Sequence, residues 1–110
     1  MRIHLIKAKT IREFAEKHAS SLKSFEIWID LIKSADWSVP EDMKRTFRSA
    51  DFLGNGSNRV VFNIGGNNYR IICKYQFSES IIHLFVTWIG THAEYTKLCN
   101  QGAQYTIEKF

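Results

Sequence analysis

The strongest constraint on the fold is a pair of alternating segments on either side of a glycine- and asparagine-rich run. Arg59 to Ile64 and Tyr69 to Phe77 both alternate with a period of two, as half-buried β-strands do. Between them lies Gly65-Gly66-Asn67-Asn68, whose residue types readily adopt the positive φ angles of tight turns. Two strands joined by four such residues predict an antiparallel β-hairpin.

The hairpin should continue into a third strand and a helix. Ser78-Glu79-Ser80 indicates a turn, and Ile81 to Ile89 reads as a long strand. Thr91 then stands where a helix N-cap belongs, with Glu94 three residues later, so a final helix is expected to about Cys99. The polar, glycine-containing tail, residues 100–110, is typical of a flexible segment.

The N-terminal half is predicted to be mainly helical. Arg2 to Ile6 alternates as a short strand does, and Thr10 with Glu13 forms a capping-box pattern before a helix of roughly ten residues. A second apolar stripe runs from Leu22 to about Ala35, at helical spacing. These two helices are expected to pack on the sheet.

Two further segments precede the hairpin. Ser38-Val39-Pro40-Glu41 is a second capping pattern, with proline at the first helical position, and predicts a short helix to about Phe47. Asp51 to Asn58 contains two glycines, two asparagines and a serine, which predict a loop.

The order of elements predicts one α+β domain over residues 1–110. An N-terminal strand and helices would pack on a C-terminal antiparallel β-meander that ends in a short helix. The helices would cover one face of the sheet and leave the other partly open, which is where a functional site is expected.

Composition narrows the function classes. The 110 residues are 45% hydrophobic and contain no apolar run near 18 residues, so a folded domain without a membrane span or signal peptide, in the cytoplasm, is expected. The net charge of +4 suits an anionic partner only moderately. Cys73 and Cys99 lack any metal-ligand spacing and are expected to be reduced thiols, and no metal or cofactor site is predicted.

Two basic residues stand on one face of the second hairpin strand. Arg70 and Lys74 are four residues apart, about 13 Å along a strand. An arginine fork in this place can hold a phosphate through two hydrogen bonds. An ordinary solvated lysine is the simpler interpretation of Lys74 alone.

His92 and Tyr95 form the second candidate group, at the end of the third strand. They are three residues apart and so neighbours on a helix face. Histidine can transfer protons near neutral pH, and tyrosine can donate a proton or stack on a base. The simpler alternative is an exposed histidine and a tyrosine that packs on the sheet. With Arg70, the pair would suit RNA cleavage through the ribose 2′-OH without a metal.

Two separated motifs carry a family resemblance. The segment from Arg59 to Arg70, RVVFNIGGNNYR, and the segment from Gly90 to Tyr95, GTHAEY, closely resemble the HigB family of toxins from bacterial type II toxin–antitoxin systems. Ser49-Ala50-Asp51 fits the same family. The resemblance covers roughly the last two thirds of the domain.

The resemblance implies a RelE-like fold and a messenger-RNA endonuclease that acts on the translating ribosome and is silenced by a HigA-type antitoxin. Arg70 would contact the scissile phosphate, and His92 and Tyr95 would serve proton transfer or base stacking. The remaining candidate RNA-binding residues are Arg59, Lys74, Asn67, Asn68 and Thr91, and Asn63 with Asn67 would shape the hairpin.

Two positions depart from the family pattern. Asn68 stands where lysine is common, and Thr87 stands where arginine is common. Fewer cations would weaken charge stabilisation at the phosphate, so reduced activity is one expectation, unless Lys74 or Arg59 compensates. Two alternatives follow: a non-catalytic RNA- or ribosome-binding module of the same fold, and a domain that binds only another protein.

Overall fold

The computed structural model describes all of residues 1–110. The strands are β1 (Arg2–Ile6), β2 (Asp51–Phe52), β3 (Arg59–Ile64), β4 (Tyr69–Phe77) and β5 (Ile81–Thr91). The α-helices are α1 (Ala8–Lys17), α2 (Leu22–Ser34), α3 (Met43–Thr46) and α4 (His92–Asn100), with short 3₁₀ segments at Ala19–Ser21, Pro40–Asp42 and Ala103–Tyr105. The predicted α+β class and the short C-terminal helix are confirmed.

The five strands form one mixed sheet in the order β1-β5-β4-β3-β2. Strands β3, β4 and β5 are the predicted antiparallel meander, with Asn63 opposite Arg70 and Arg70 opposite Gly90. Strand β1 pairs in parallel with β5, so the N-terminal strand extends the sheet on the far side of the meander. The antiparallel pairing of β4 with β5 places the hairpin turn and the end of β5 next to each other.

One face of the sheet carries the main core and is covered by α1 and α2. Eighteen buried residues form a single cluster there, and Val60, Phe62 and Ile64 contribute the side of β3 that the alternation predicts. Phe25 and Ile29 of α2 join the same cluster, which confirms that the helical stripe packs on the sheet.

The opposite face, which we call the site face, has a much smaller core. Its buried cluster consists of Val61, Ile72, Trp88 and Leu98, with Leu98 supplied by α4. Ile107 of the C-terminal segment packs against this cluster, and the backbone N–H of Lys109 donates to the carbonyl of Thr87 at 2.8 Å. Helix α4 and the C-terminal segment therefore cover part of this face.

A β-bulge interrupts β5 at Thr87. Cys73 pairs with Val86 and Ile72 pairs with Trp88, so Thr87 is an extra residue on β5. The Thr87 hydroxyl donates to the Ile72 carbonyl at 3.1 Å. Before the bulge Val86 belongs to the main core, and after it Trp88 belongs to the site-face cluster.

Local predictions fail at three places. Helix α1 begins at Ala8 after Lys7, which has φ 73° and makes no side-chain cap, so Thr10 lies inside the helix and its capping box with Glu13 does not form. The Asp42 carboxylate, rather than Glu41, accepts from the backbone N–H groups of Ser38 and Val39 at 2.7 and 3.2 Å.

The third difference lies in the segment that was predicted to be a loop. Asp51 and Phe52 pair with Val61 and Val60 and form the short edge strand β2. The glycine- and asparagine-rich part, residues 53–58, remains irregular as predicted. No helix in the chain is long and apolar enough to cross a membrane.

Candidate active site

The hairpin turn and the first turn of α4 are joined directly. Gly65 and Gly66 have φ angles of 63° and 67°, the left-handed conformation that the turn requires. The backbone N–H of His92 donates to the carbonyl of Asn68 at 3.0 Å. Because Asn68 ends the turn and His92 begins α4, this bond brings the two sequence motifs into one site.

The centre of the site is the guanidinium of Arg70. Its Nη1 donates to Oδ1 of Asn63, the residue opposite it on β3. Its Nη2 donates to Nδ1 of His92 at 2.9 Å. Its Cζ lies 5.4 Å from the centre of the Tyr95 ring, a cation–π distance. Arg70 therefore contacts both other members of the predicted trio, His92 and Tyr95.

The contact with Arg70 fixes the tautomer of His92. An arginine side chain has donors only, so the Nδ1 atom that receives its hydrogen bond carries no proton. The neutral His92 ring then carries its hydrogen on Nε2. The side chain is exposed, so Nε2 is accessible to a substrate.

Tyr95 is half-buried between Arg70 and Trp88. The ring centres of Trp88 and Tyr95 lie 6.0 Å apart. Removal from solvent, with a smaller contribution from Cys99, raises the pKa of the Tyr95 hydroxyl above its usual value. The phenol is therefore protonated at neutral pH and acts as a hydrogen-bond donor or a stacking surface.

The predicted capping box at the start of α4 is present. The Thr91 hydroxyl accepts from the Glu94 N–H at 3.2 Å, and a Glu94 carboxylate oxygen accepts from the Thr91 N–H at 2.8 Å. That backbone hydrogen bond lowers the pKa of Glu94. The Thr91 hydroxyl thus holds the helix that presents His92 and Tyr95.

The hairpin asparagines have separate roles. Asn63 Nδ2 donates to Asn67 Oδ1 at 3.3 Å, which ties the strand to the turn. Asn67 and Asn68 are both exposed beside Arg70. Asn63 was expected only to shape the hairpin, yet it also accepts from Arg70 and so orients the guanidinium.

Arg59 and Thr87 lie apart from this site. Arg59 is opposite Lys74 on the sheet, four residues along β3 from Asn63. It is only 4% exposed, its Nη1 donates to the Ile107 carbonyl, and its Nη2 lies 3.5 Å from Oε1 of Glu108. Thr87 is also buried, with its hydroxyl 3.5 Å from Arg59 Nη1. Lys74 is exposed at the same end of β4.

Trp88 and Gly90 were missed as parts of the site. A Cβ atom at Gly90 would lie 2.4 Å from the Trp88 ring, so only glycine leaves room for the indole that packs beside Tyr95. The alternation of β5 does not predict that Trp88 lies beside Tyr95, because the bulge at Thr87 changes the direction of Trp88.

Cys73 lies outside this site, and Cys99 adjoins it only at the Tyr95 hydroxyl. Cys73 is buried in the main core, where desolvation raises the pKa of its thiol, and Cys99 is half-buried on α4. Both are free thiols. No group of three or more His, Cys, Asp or Glu side chains is arranged to hold a metal ion.

Comparison with known proteins agrees with this architecture. Residues 21–98 match a family described as the RelE-like toxic component of a toxin–antitoxin system. That family is HigB toxin, and the chain belongs to it.

Curated relatives cover most of the chain. It is 32% identical over 96 residues to the mRNA interferase HigB of Escherichia coli O6:H1, covering 87% of this chain and 91% of the relative. It is 28% identical over 93 residues to the mRNA interferase toxin HigB of Escherichia coli K12, covering 84% and 88%. The mRNA interferase HigB of Shigella flexneri matches to the same extent.

Proposed function

We propose that this toxin is a cytoplasmic, ribosome-dependent mRNA endoribonuclease that cleaves through the ribose 2′-OH and inhibits translation. The names of its relatives support mRNA cleavage as the activity. The observation that carries the proposal is the contact of one guanidinium with both a histidine ring nitrogen and a tyrosine ring.

Arg70 is the proposed phosphate ligand. Cleavage places additional negative charge on the phosphate oxygens, and a preoriented guanidinium stabilises that charge. Asn63 holds Nη1, so Nη2 is the donor that can turn from His92 to a phosphate oxygen. Binding of the phosphate would then free Nδ1 of His92.

His92 is the proposed base. Once released from Arg70, its neutral Nδ1 can accept the proton of the 2′-OH while the 2′ oxygen attacks the phosphorus. The bond to the 5′ oxygen breaks, and that oxygen takes up a proton from the Tyr95 hydroxyl or from water. The products are a 2′,3′-cyclic phosphate and a free 5′ hydroxyl.

Tyr95 is proposed to assist in one of two ways. Its protonated hydroxyl can donate a hydrogen bond to the leaving 5′ oxygen, or its ring can stack on a base. Tyr95→Phe separates these roles because it keeps the ring. Loss of cleavage in this variant would favour the hydroxyl, and unchanged cleavage would favour stacking.

The small number of cations at the site supports a reduced cleavage rate. Of the candidate cations, Arg70 alone contacts His92 and Tyr95, while Asn68 supplies no charge and Arg59 is engaged beside Thr87 by the C-terminal segment. The same observation favours the second candidate function, a non-catalytic RNA- or ribosome-binding module. The proposed partners are the ribosome, its mRNA and a HigA-type antitoxin.

Mapping of RNA 5′ ends after induced expression tests the proposal. Wild type should create new 5′ ends within translated mRNA and arrest growth, and Arg70→Ala should abolish both. Arg12→Ala, which removes an exposed arginine from α1, is the matched control and should cleave as wild type does. Ribosome occupancy without new 5′ ends would favour the binding module. The absence of both ribosome occupancy and new 5′ ends would contradict both functions.

A further inference from the structure

A cavity of about 510 Å³ lies on the site face at the end remote from Arg70. It is bounded by the C-terminal half of β4, the middle of β5, the start of α1 and the C-terminal segment. Its lining includes Lys7, Asn58, Lys74, Gln76, Phe85 and Glu108. This volume is within the usual range of small-molecule sites, so the cavity can accommodate one nucleotide.

The charge of the cavity favours an anion. Lys7 and Lys74 are both exposed, and neither forms a salt bridge with a carboxylate. The one acidic residue of the lining, Glu108, is paired with buried Arg59 at 3.5 Å. Two ammonium groups are therefore available for a phosphate.

The cavity also offers a surface for stacking. Phe85 lines it and stands beside His83, with ring centres 6.1 Å apart. His83 in turn lies 5.6 Å from His4 of β1. A row of rings flanked by lysines is the combination that binds single-stranded nucleic acid with little sequence preference. The side-chain amides of Asn58 and Gln76 add hydrogen-bonding groups for a base edge.

We infer that this cavity binds a flanking nucleotide of the same single-stranded RNA whose phosphate binds Arg70. Lys7 and Lys74 would hold a phosphate, and Phe85 would stack on a base. Lys74 and Arg70 lie on one face of β4, about 13 Å apart, so one strand can reach both. The inference rests on the proposed function because it assigns the cavity to the same substrate.

The salt dependence of RNA affinity tests the inference. The double variant Lys7→Gln, Lys74→Gln would be titrated with a 2′-O-methyl oligonucleotide, which cannot be cleaved, by fluorescence anisotropy over a range of salt concentrations. Loss of one phosphate contact on a single strand reduces the steepness of log affinity against log salt by about 0.7, and the double variant, which loses the one phosphate held by the pair, should show that reduction.

The matched control removes the same charge elsewhere. Lys23→Gln with Lys33→Gln changes two exposed lysines of α2, which covers the other face, and should leave the slope at the wild-type value. Phe85→Leu should weaken affinity by roughly tenfold without a change in slope, because stacking releases no counterions. Lys74→Arg should keep the wild-type slope, because it keeps the positive charge at the cavity.

Equal slopes for the two double variants, or no binding of the oligonucleotide by wild type, would overturn the inference. The measurement uses neither ribosomes nor cleavage. If wild type fails to cleave mRNA but the slope falls only in the Lys7, Lys74 variant, the proposed function fails and the RNA site stands. If cleavage occurs and the slopes are equal, the RNA site alone fails.

Discussion

The two faces of the sheet differ in what holds them together. The helix-covered face buries an 18-residue apolar cluster, whereas the site face buries four apolar residues and carries the hydrogen bonds of Arg70 and Arg59. Apolar burial is the main source of folding stability, and a preoriented polar group is the main requirement of a site. The main core and the candidate site therefore lie on opposite sides of the same strands.

Neighbouring isoleucines of β4 give the largest stability difference. Ile71 and Ile72 are both fully buried, but Ile71 belongs to the main core and Ile72 to the small cluster. Ile71→Ala should lower the free energy of unfolding by about 4 kcal/mol and Ile72→Ala by about 2, since a thinner layer relaxes more readily around a cavity. Urea unfolding measures both, and equal losses would contradict the division between faces.

Arg70→Ala should separate activity from stability. The lost donor should lower the cleavage rate by about 10²- to 10³-fold, while the free energy of unfolding should change by less than about 1 kcal/mol. Arg70→Lys should remain impaired because an ammonium group cannot contact Asn63 and a phosphate as a planar fork does. Comparable stability losses in Arg70→Ala and Ile71→Ala would contradict the division between the two faces.

Replacement of Arg59 should lower stability rather than cleavage, although Arg59 lies on the same face as Arg70. Arg59→Ala removes the donor to the Ile107 carbonyl and the partner of Glu108, and should cost about 1–3 kcal/mol of stability. Limited proteolysis should show faster cleavage within residues 106–110. Unchanged stability together with lost RNA binding would instead make Arg59 an RNA ligand.

Thr91→Ala should have a smaller effect, and it should lower both the stability and the cleavage rate. Loss of the N-cap hydroxyl should cost about 1 kcal/mol of stability, and fraying of α4 should displace His92 and Tyr95. Thr91→Ser keeps the hydroxyl and serves as the control. Thermal unfolding and the cleavage rate should change together in the alanine variant and remain near wild type in the serine variant.

The smallest expected effect is the change at acid pH in the contribution of Glu94 to the free energy of unfolding. Its pKa is lowered in the folded state from an ordinary value near 4.5, chiefly by the hydrogen bond from the Thr91 N–H. Its stabilisation is therefore present above that value and is lost as pH falls through the folded pKa. The stability advantage of wild type over Glu94→Gln should shrink between about pH 6 and pH 3 in urea unfolding. A constant difference would contradict the charge effect.

Local chemistry made much of the fold predictable. The hairpin follows from alternation around Gly65 and Gly66, and the start of α4 follows from Thr91 and Glu94, because each signal lies within a few residues. The capping pattern at Thr10 was misleading because α1 starts earlier, after the left-handed Lys7. Backbone geometry there outweighed a favourable side-chain pattern.

Features that join distant residues could not be predicted. Parallel pairing of β1 with β5 and capture of Ile107 by Arg59 connect positions that no local pattern relates. At the site, the sequence indicated Arg70, His92 and Tyr95, which the structure brings into contact. It gave no sign that Arg59 is buried or that Trp88 packs beside Tyr95, since both depend on how the chain folds over the site face.

The bulge at Thr87 has a consequence for changes in chain length. Because Thr87 is one residue too many for its partner strand, β5 consists of two halves whose inward and outward positions are out of phase. Deletion of this single residue would bring the halves into phase and would leave Trp88 on the site face and Ile89 in the main core. The site should therefore tolerate deletion of Thr87, with loss of its hydrogen bond to the Ile72 carbonyl, since the directions of the side chains of β5 depend on the spacing of its residues as much as on their identity.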